Sequence, residues 1–475
     1  MMQRLWLTAF GVFSALCLAG ESLAQSEDPT RQDIALAAGY KAMFTCSATF
    51  NGGRTTDQIK ADELSNYYGD YVKAMALTGD IIVNEPEKYV SVTFAEDMPP
   101  FISAWRPHLG CTALPQGADE TFIKNLPRVK LKAPKYNPDD MMWPMGDKLP
   151  NRPLPASIDK AALDASIEKA FQGGFSGATT AVIVSQNGRI IGERYREDFN
   201  KNTSQRTWSV AKSVAASVIG AAQQKGLIDI KDDAGLKAWS RKGDPRASIT
   251  IENLLQMASG LNSDPAGNRT DNVYFGGGLV VQNAAKNPLE APPGTRWRYA
   301  NNDTMLAMRA LREQMGSDRR YHAFPFKALL HKIGMYHTVP EMDWGGDYVM
   351  SSQVWTTARD LARLGQLYLN DGLWEGERIL PKGWANYVAD PAPAQPPNRL
   401  GNKANEPGRG YGAQFWRYEN YPGVPNDTYA ALGNRGQFVI IVPSRETVIV
   451  RRGYDYRGNY FDGPKFTAEI LASLE

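Results

Sequence analysis

A serine and a lysine three residues apart, Ser209 and Lys212, are the residues whose types and spacing point most directly to chemistry. The segment that they begin, 209–222, has small and apolar residues on every face of a helix, which is typical of a buried helix. Lys212 is the only charged residue between Arg206 and Lys225. A buried ammonium group is costly, and proteins usually relieve the cost by lowering the lysine pKa until the neutral amine is populated. A neutral amine is a base, and positions i and i+3 share a helix face, so Lys212 can activate the Ser209 hydroxyl as a nucleophile.

The predicted position of Ser209 at the N-terminus of this helix adds two effects. The backbone N–H of the serine can stabilise an oxyanion, and the positive end of the helix dipole disfavours a protonated Lys212. The same spacing joins Ser157 to Lys160 and Ser166 to Lys169, but those pairs lie on a charged amphipathic segment where lysine is solvated. For Lys212, a side chain that reaches the surface or pairs with a carboxylate remains the alternative.

This sequence lacks the motifs that other classes of hydrolase active site require. A Gly-x-Ser-x-Gly turn does not occur, and the nearest match, 174–178, has alanine in place of the last glycine. No motif connects a histidine to Ser209, and none has the His-Glu-x-x-His spacing of a zinc site. The sequence therefore predicts structural or surface roles for His108, His322, His331 and His337, and no metal site.

The composition is that of a globular protein without a strong charge. The 475 residues include 53 Lys plus Arg and 51 Asp plus Glu, with no block of like charges. This balance argues against nucleic acid as a partner. The length allows about two or three domains.

Residues 1–24 have the features of a secretory signal. Arg4 precedes an apolar stretch at 5–19, and the small-residue site at 22–24 predicts cleavage before Gln25. The stretch is short for a bilayer span, although a retained anchor remains an alternative. No later segment has 18 consecutive apolar residues, so we expect a periplasmic or secreted protein without stable membrane insertion.

Residues 25–155, called the extension below, differ from the rest of the chain. Eleven of the thirty prolines fall between Pro99 and Pro155, which excludes long helices there. Cys46 and Cys111 lie in the extension and are the two cysteines that remain after signal removal. An oxidising compartment favours one disulfide between them, and two buried thiols are the alternative.

Residues 156–475, called the second unit below, carry elements at both ends that can share one sheet. Asn187-Gly188 is typical of a tight hairpin turn, and a second hairpin lies near the C-terminus. Between them, about 205–430 reads as mostly helical. We predict an α/β (α+β) sandwich with a central antiparallel sheet flanked by helices and a helical insertion. The predicted elements are a helix at 157–171, strands at 180–184, 190–195, 438–442 and 447–450, and a helix from about Lys465.

Four segments together resemble the serine β-lactamase and penicillin-binding-protein superfamily. The resemblance is greatest to its class C β-lactamase-related branch of esterases and 6-aminohexanoate-dimer hydrolases, and it implies a β-lactamase/transpeptidase-like sandwich. It implies that Ser209 is the nucleophile and Lys212 its base. It also implies that Tyr299 passes a proton to the leaving group and that Asn301 orients the substrate or Lys212. The segments are 207–222, 249–261, 293–301 and 356–368.

A third motif of this family is altered. Many members carry Lys or His, then Thr or Ser, then Gly at the start of a strand, whereas this chain has Gly-Asn-Arg-Gly-Gln at 433–437. The resemblance implies that Gly436 permits close approach of the substrate and that the Gln437 N–H is the second oxyanion donor. The missing cation and hydroxyl argue against penicillin as the natural substrate, although Arg435 is a possible replacement. A Pro- and Gly-rich loop at 391–408 precedes Tyr411 and Trp416, which are candidates for the cleft or the core.

The sequence therefore predicts an exported serine hydrolase that forms an acyl-enzyme on Ser209 and needs no metal or organic cofactor. Its expected partner is a small linear amide or ester, such as an aminohexanoate-type oligomer or a small ester, and not nucleic acid. One alternative is a β-lactamase or D-alanyl-D-alanine carboxypeptidase. Another is a catalytically silent protein that binds cell-wall fragments or a partner. The sequence does not determine the oligomeric state.

Overall fold

The computed structural model describes residues 28–66, 69, 71–132, 137–263, 270–396 and 407–474. The predicted signal at 1–24 lies outside them, as do residues 397–406 of the loop before Tyr411. Among the described helices, none combines the length and the apolar composition that crossing a bilayer requires. The helices are α1 Arg31–Phe50, α2 Thr56–Asp62, α3 Tyr71–Ala76, α4 Lys160–Phe171, α5 Val210–Gln224, α6 Ile251–Leu255, α7 Asp271–Tyr274, α8 Val280–Ala284, α9 Asn301–Met315, α10 Asp318–Ala328, α11 Ala358–Leu369, α12 Trp384–Ala389 and α13 Gly463–Ala472. The strands are β1 Ile81–Asn84, β2 Tyr89–Val92, β3 Phe101–Arg106, β4 Gly110–Ala113, β5 Thr179–Gln186, β6 Arg189–Tyr195, β7 Gln205–Arg206, β8 Val339–Pro340, β9 Val354–Thr356, β10 Leu373–Trp374, β11 Glu377–Arg378, β12 Gly408–Tyr411, β13 Trp416–Glu419, β14 Tyr429–Gly433, β15 Gln437–Val442 and β16 Thr447–Gly453.

The main sheet joins strands from the two ends of the second unit, as predicted. Its seven strands are antiparallel in the order β12-β13-β14-β15-β16-β5-β6. The junction is the pairing of β16 with β5, where Ile449 lies opposite Val184. In the turn between β5 and β6, Asn187 and Gly188 have φ values of 48° and 74°, which is the conformation that a tight primed hairpin turn requires.

Helices cover both faces of this sheet. On one face, Ile183, Val439 and Val450 pack into the apolar core that contains α5 and α11. On the other face, Val184 and Ile440 pack with α4 and α13. Strands buried on both faces read as continuous apolar runs, which explains the sequence of β15. The predicted α/β sandwich is confirmed.

The sheet is larger than the sequence predicted. Strands β12 and β13 lie inside the stretch expected to be mostly helical, and β14 lies at its end. They are four or five residues long, and Gly408 and Gly410 interrupt the alternation of apolar and polar residues that identifies a strand. These strands matter for function because they form one side of the cleft described below.

The extension consists of α1 to α3 and a four-stranded sheet, β1-β2-β3-β4. Among its described residues after Pro99, the helical segments are short 3-10 turns, in agreement with the proline content. The 20-residue helix α1, which the sequence analysis did not predict, begins with a capping box at Thr30 and Asp33. A disulfide joins Cys46 of α1 to Cys111 of β4, as expected. Helix α1 shares one apolar core with α5.

Candidate active site

A strained turn places Ser209 at the start of α5. The preceding residue, Trp208, has a φ of 50°, in the left-handed region, a conformation that costs a non-glycine residue about 1–3 kcal/mol. Its ring is held by the Arg206 guanidinium at 3.8 Å and by Phe44 of α1, with ring centroids 5.9 Å apart. The Ser209 hydroxyl makes no capping hydrogen bond to α5. These contacts fix the serine at the helix N-terminus with its hydroxyl turned to Lys212.

Lys212 is buried, with 1% of its surface exposed, and its amine contacts neutral groups. The Nζ atom donates to Asn301 Oδ1 at 2.7 Å and to the Ser351 carbonyl oxygen at 2.8 Å, and it lies 3.1 Å from Ser209 Oγ. Within the described ranges no carboxylate forms an ion pair with it. Burial, together with the charge of Arg206, lowers its pKa to about 7. About half of the amine is therefore neutral at pH 7, and the neutral fraction grows as pH rises above 7.

Tyr299 and Asn301 also lie next to the Lys212 amine. Asn301 is the first residue of α9, and the Tyr299 ring centroid is 4.9 Å from Lys212 Nζ. Burial raises the pKa of the Tyr299 phenol well above its usual range, and the Ser209 side chain opposes this rise only partly. The phenol is therefore protonated at neutral pH, whereas the Lys212 amine is partly neutral.

The structure leaves Gly436 and Gln437 outside the residues that line the cleft. Gly433, at the end of β14, is the glycine that approaches the nucleophile, because a Cβ atom there would clash with the Thr207 carbonyl oxygen and lie 3.2 Å from Ser209 N. Gly433 and Asn434 line the cleft. Gly436 packs against Arg451 instead.

Gln437 begins β15 and turns its side chain away from Ser209. Its Nε2 donates to the Gly453 carbonyl oxygen at 2.6 Å, and its Oε1 accepts from Arg452. Arg435 does not line the cleft, and its Nη2 donates to the Ser65 carbonyl oxygen of the extension. The sequence analysis chose Gly436, three residues after the glycine that lies beside Ser209. Sequence patterns do not reveal which strand end faces the nucleophile.

The cleft beside Ser209 has a volume of about 400 Å³, and six of its fourteen lining residues are aromatic. Trp416 lies in this wall, and Tyr411 packs behind it with ring centroids 5.0 Å apart. The sequence analysis missed Tyr40, Asp271 and Arg409, which carry no local motif. The lining residues are Tyr40, Trp208, Ser209, Asp271, Tyr274, Phe275, Tyr299, Asn301, Ser352, Arg409, Trp416, Leu432, Gly433 and Asn434.

The competing sequence candidates lie elsewhere. None of the four histidines lines this cleft, and His322 contacts the Gly346 carbonyl oxygen. Lys169 is half exposed and forms an ion pair with Glu469 at 2.7 Å, while Lys160 pairs with Asp164. Across the described part of the chain, no group of three or more His, Cys, Asp or Glu residues is arranged to hold a metal ion.

Comparisons with known proteins agree with this geometry. The Beta-lactamase family model matches residues 163–451. The 6-aminohexanoate-dimer hydrolase of Paenarthrobacter ureafaciens is 23% identical over 287 residues, which cover 58% of this chain and 72% of that protein. A penicillin-binding protein homologue from Caulobacter crescentus has a TM-score of 0.53 at 16% identity, covering 68% of this chain and 98% of its own.

A family VIII carboxylesterase has a TM-score of 0.51 at 14% identity and covers 66% of this chain and 96% of its own. These solved structures share the sheet-and-helix fold of the second unit. The match of the family model covers more than half of the sequence and includes Ser209, Lys212, Tyr299 and Asn301. The chain therefore belongs to the β-lactamase family and is a serine hydrolase of that type.

Proposed function

We propose that this protein cleaves an amide or ester bond of a small, linear substrate through an acyl-enzyme on Ser209. The observation that carries the proposal is the environment of Lys212. Its buried amine lies 3.1 Å from Ser209 Oγ, its other contacts are neutral, and its pKa is lowered to about 7. A lysine in this state can accept a proton, whereas a salt-bridged lysine cannot.

In the proposed acylation step, neutral Lys212 takes the proton of the Ser209 hydroxyl while Oγ attacks the substrate carbonyl carbon. The backbone N–H groups of Ser209 and Asn434 are the proposed donors to the oxyanion, because both residues line the cleft where Gly433 lets the strand approach. Asn301 and the Ser351 carbonyl oxygen hold the amine in place.

Tyr299 completes the proposed proton path. Its protonated phenol donates to the leaving amine or alcohol as the tetrahedral intermediate collapses, and the proton on Lys212 then reprotonates the phenolate. In deacylation the same groups act in reverse, with water in place of the leaving group. The high phenol pKa supports the role of donor.

The proposed substrates are an aminohexanoate-type oligomer or a small ester, ahead of β-lactams and peptidoglycan stems. The relative from Paenarthrobacter ureafaciens is named for its action on the 6-aminohexanoate dimer, and a structural neighbour is named a carboxylesterase. The cleft volume of about 400 Å³ is suited to small ligands.

We further propose that residues 1–24 direct export to the periplasm or beyond and are removed before Gln25. The supporting feature is the apolar stretch followed by a small-residue site. Mass spectrometry of protein from the periplasm and the medium is expected to find an N-terminus at Gln25. An intact Met1 in all of the folded protein would contradict this proposal.

A fluorophosphonate probe tests the nucleophile. The probe is expected to form an adduct on Ser209 in the folded protein, and Ser209→Ala is expected to abolish labelling. Ser166→Ala, in the exposed pair with Lys169, is the matched control and should label fully. Absence of an adduct in wild type would instead favour a silent binding protein. A panel of 4-nitrophenyl esters, 6-aminohexanoate dimer and a chromogenic cephalosporin then ranks the substrate classes.

A further inference from the structure

One positive charge in the cleft has no counter-ion among the described residues. Arg409 lies on β12, the edge strand of the main sheet, and its partly buried side chain lines the same cleft as Ser209. The guanidinium lies 5.8 Å from the centroid of the Tyr418 ring, and its buried Nε makes no hydrogen bond. Among the residues that the structure describes, no carboxylate lies within ion-pair distance of Arg409.

Neighbouring arginines of the same sheet are satisfied by the protein. Arg417 on β13 pairs with Glu419 at 3.3 Å, and Arg451 on β16 pairs with Asp455 at 2.8 Å. A guanidinium has five N–H donors in a planar fork that matches a carboxylate. A buried donor without a partner carries a desolvation cost, which a ligand can relieve. Arg409 therefore differs from these arginines in being open to a ligand in the cleft.

The carboxylate in the cleft lining, Asp271, forms no ion pair with Arg409. Asp271 accepts a hydrogen bond from the Tyr71 hydroxyl of the extension at 2.5 Å. The rest of the wall is mainly aromatic or neutral, including Tyr40, Trp208 and Trp416. An anionic group on an otherwise apolar substrate would find one complementary partner here.

We propose that Arg409 is a specificity residue that binds a carboxylate of the substrate, so that the preferred substrates are linear amides or esters with one anionic end. This inference rests on the proposed function and refines its substrate class. It places the partner of the carboxylate on β12, outside the altered motif at 433–437. Because the residue touches the substrate away from the reacting bond, it affects which substrates are chosen and not the acyl-transfer step itself.

Two matched substrate pairs test the proposal and locate the carboxylate. The first is the mono-4-nitrophenyl ester of suberic acid and its methyl-capped form, which differ on the acyl side. The second is 4-acetoxybenzoate and its methyl ester, which differ on the leaving side. Arg409→Gln is expected to lower kcat/KM for the anionic member of one pair by about 10- to 100-fold, the range for a charge-assisted hydrogen bond. Neutral members should change less than about threefold.

Arg417→Gln, on the adjacent strand, is the matched control and should leave both ratios unchanged. Arg409→Lys should restore part of the preference, because it keeps the charge and loses the planar fork. An equal fall for both members of each pair, or no change in either ratio, would overturn the proposal. Octanoate and octanamide as inhibitors of neutral-ester hydrolysis by wild type give a test that needs no variant. Inhibition no stronger by octanoate would also overturn it.

These outcomes separate this inference from the proposed function. Hydrolysis of neutral esters with Ser209 labelling, but without any preference for anionic substrates, would reject only the role of Arg409. Loss of both hydrolysis and labelling in wild type would reject the acyl-enzyme itself.

Discussion

The second unit and the extension contribute different things to the same cleft. The residues proposed to move protons, Ser209, Lys212 and Tyr299, all lie in the region matched by the family model. The extension contributes Tyr40 to the cleft wall, and Phe44 packs behind Trp208. The proposed reaction chemistry thus lies in the second unit alone, whereas the extension adds one residue to the wall of the cleft.

Buried polar contacts hold the two parts together. Glu341 of the second unit accepts hydrogen bonds from Ser47 Oγ at 2.7 Å, Asn51 Nδ2 at 2.9 Å and the Cys111 N–H at 2.9 Å. The Tyr454 hydroxyl donates to Glu63 at 2.6 Å. These contacts fix the extension against the second unit. Substitutions in one part at a time can therefore test what each part contributes.

The largest effect is expected from Lys212→Arg. Arginine stays protonated and cannot act as a base, so kcat/KM should fall at least about 10³-fold, within the range for general-base catalysis. Lys169→Arg, in the exposed Ser-x-x-Lys pair, is the control and should leave the rate unchanged. Near-normal activity of Lys212→Arg would remove the chemical role assigned to the second unit.

The pH dependence of kcat/KM in wild type also tests the proposed role of Lys212 as the base. Because only the neutral amine accepts a proton and its pKa is lowered to about 7, kcat/KM should rise as pH increases through about 7 and then level off. A pH-rate profile on a stable amide measures this limb. A rate that is flat between pH 5 and 9 would exclude Lys212 as the titrating base.

Removal of the disulfide should change stability and leave the chemistry intact. The bond joins residues 65 apart, and the chain-entropy model assigns a loop of that length roughly 4 kcal/mol. The double variant Cys46→Ala with Cys111→Ala should therefore unfold at lower denaturant concentration, with kcat/KM near wild type while it is folded. A large loss of kcat in the folded variant would show that the extension takes part in the chemistry.

The pH dependence of the unfolding free energy of Glu341→Gln tests the contact between the two parts. Burial raises the pKa of Glu341 to about 7 from an ordinary value of 4.5, so the folded protein binds this proton more tightly than the unfolded chain does. Its contribution to stability is full below about pH 4.5 and is lost as pH rises through 7, by up to about 3 kcal/mol. Glutamine does not titrate. The unfolding free energy of Glu341→Gln should therefore fall less between pH 5 and pH 8 than that of wild type. Parallel pH dependence in both proteins would contradict this account, and Glu469→Gln, at a half-exposed pair, is the control.

The smallest effect on kcat/KM is expected from Tyr40→Ala. This substitution enlarges the cleft where the extension forms its wall. The ratio of kcat/KM for 4-nitrophenyl octanoate to that for the acetate should rise by about three- to tenfold, because the lost ring makes room for a longer acyl chain. Tyr40→Phe keeps the ring and should keep the ratio. An unchanged ratio in Tyr40→Ala would mean that the extension does not set substrate size.

The parts of this structure that could be predicted from sequence are those determined by local patterns. Asn187-Gly188 identified a hairpin, and a single lysine in an apolar helix identified Lys212 as buried. Gly433 and Tyr40 could not be found in this way. Gly433 is recognised only when the strand order places β14 beside Ser209, and Tyr40 reaches the cleft through packing across a long separation in sequence.

The strained backbone of Trp208 has a consequence for how small this enzyme can be. Its left-handed conformation is braced by Arg206 from the second unit and by Phe44 from α1. A fragment that begins at residue 156 would retain every motif residue and lose one of the two braces next to the nucleophile. We therefore expect a fragment limited to the region that defines the family to be less active than the full chain.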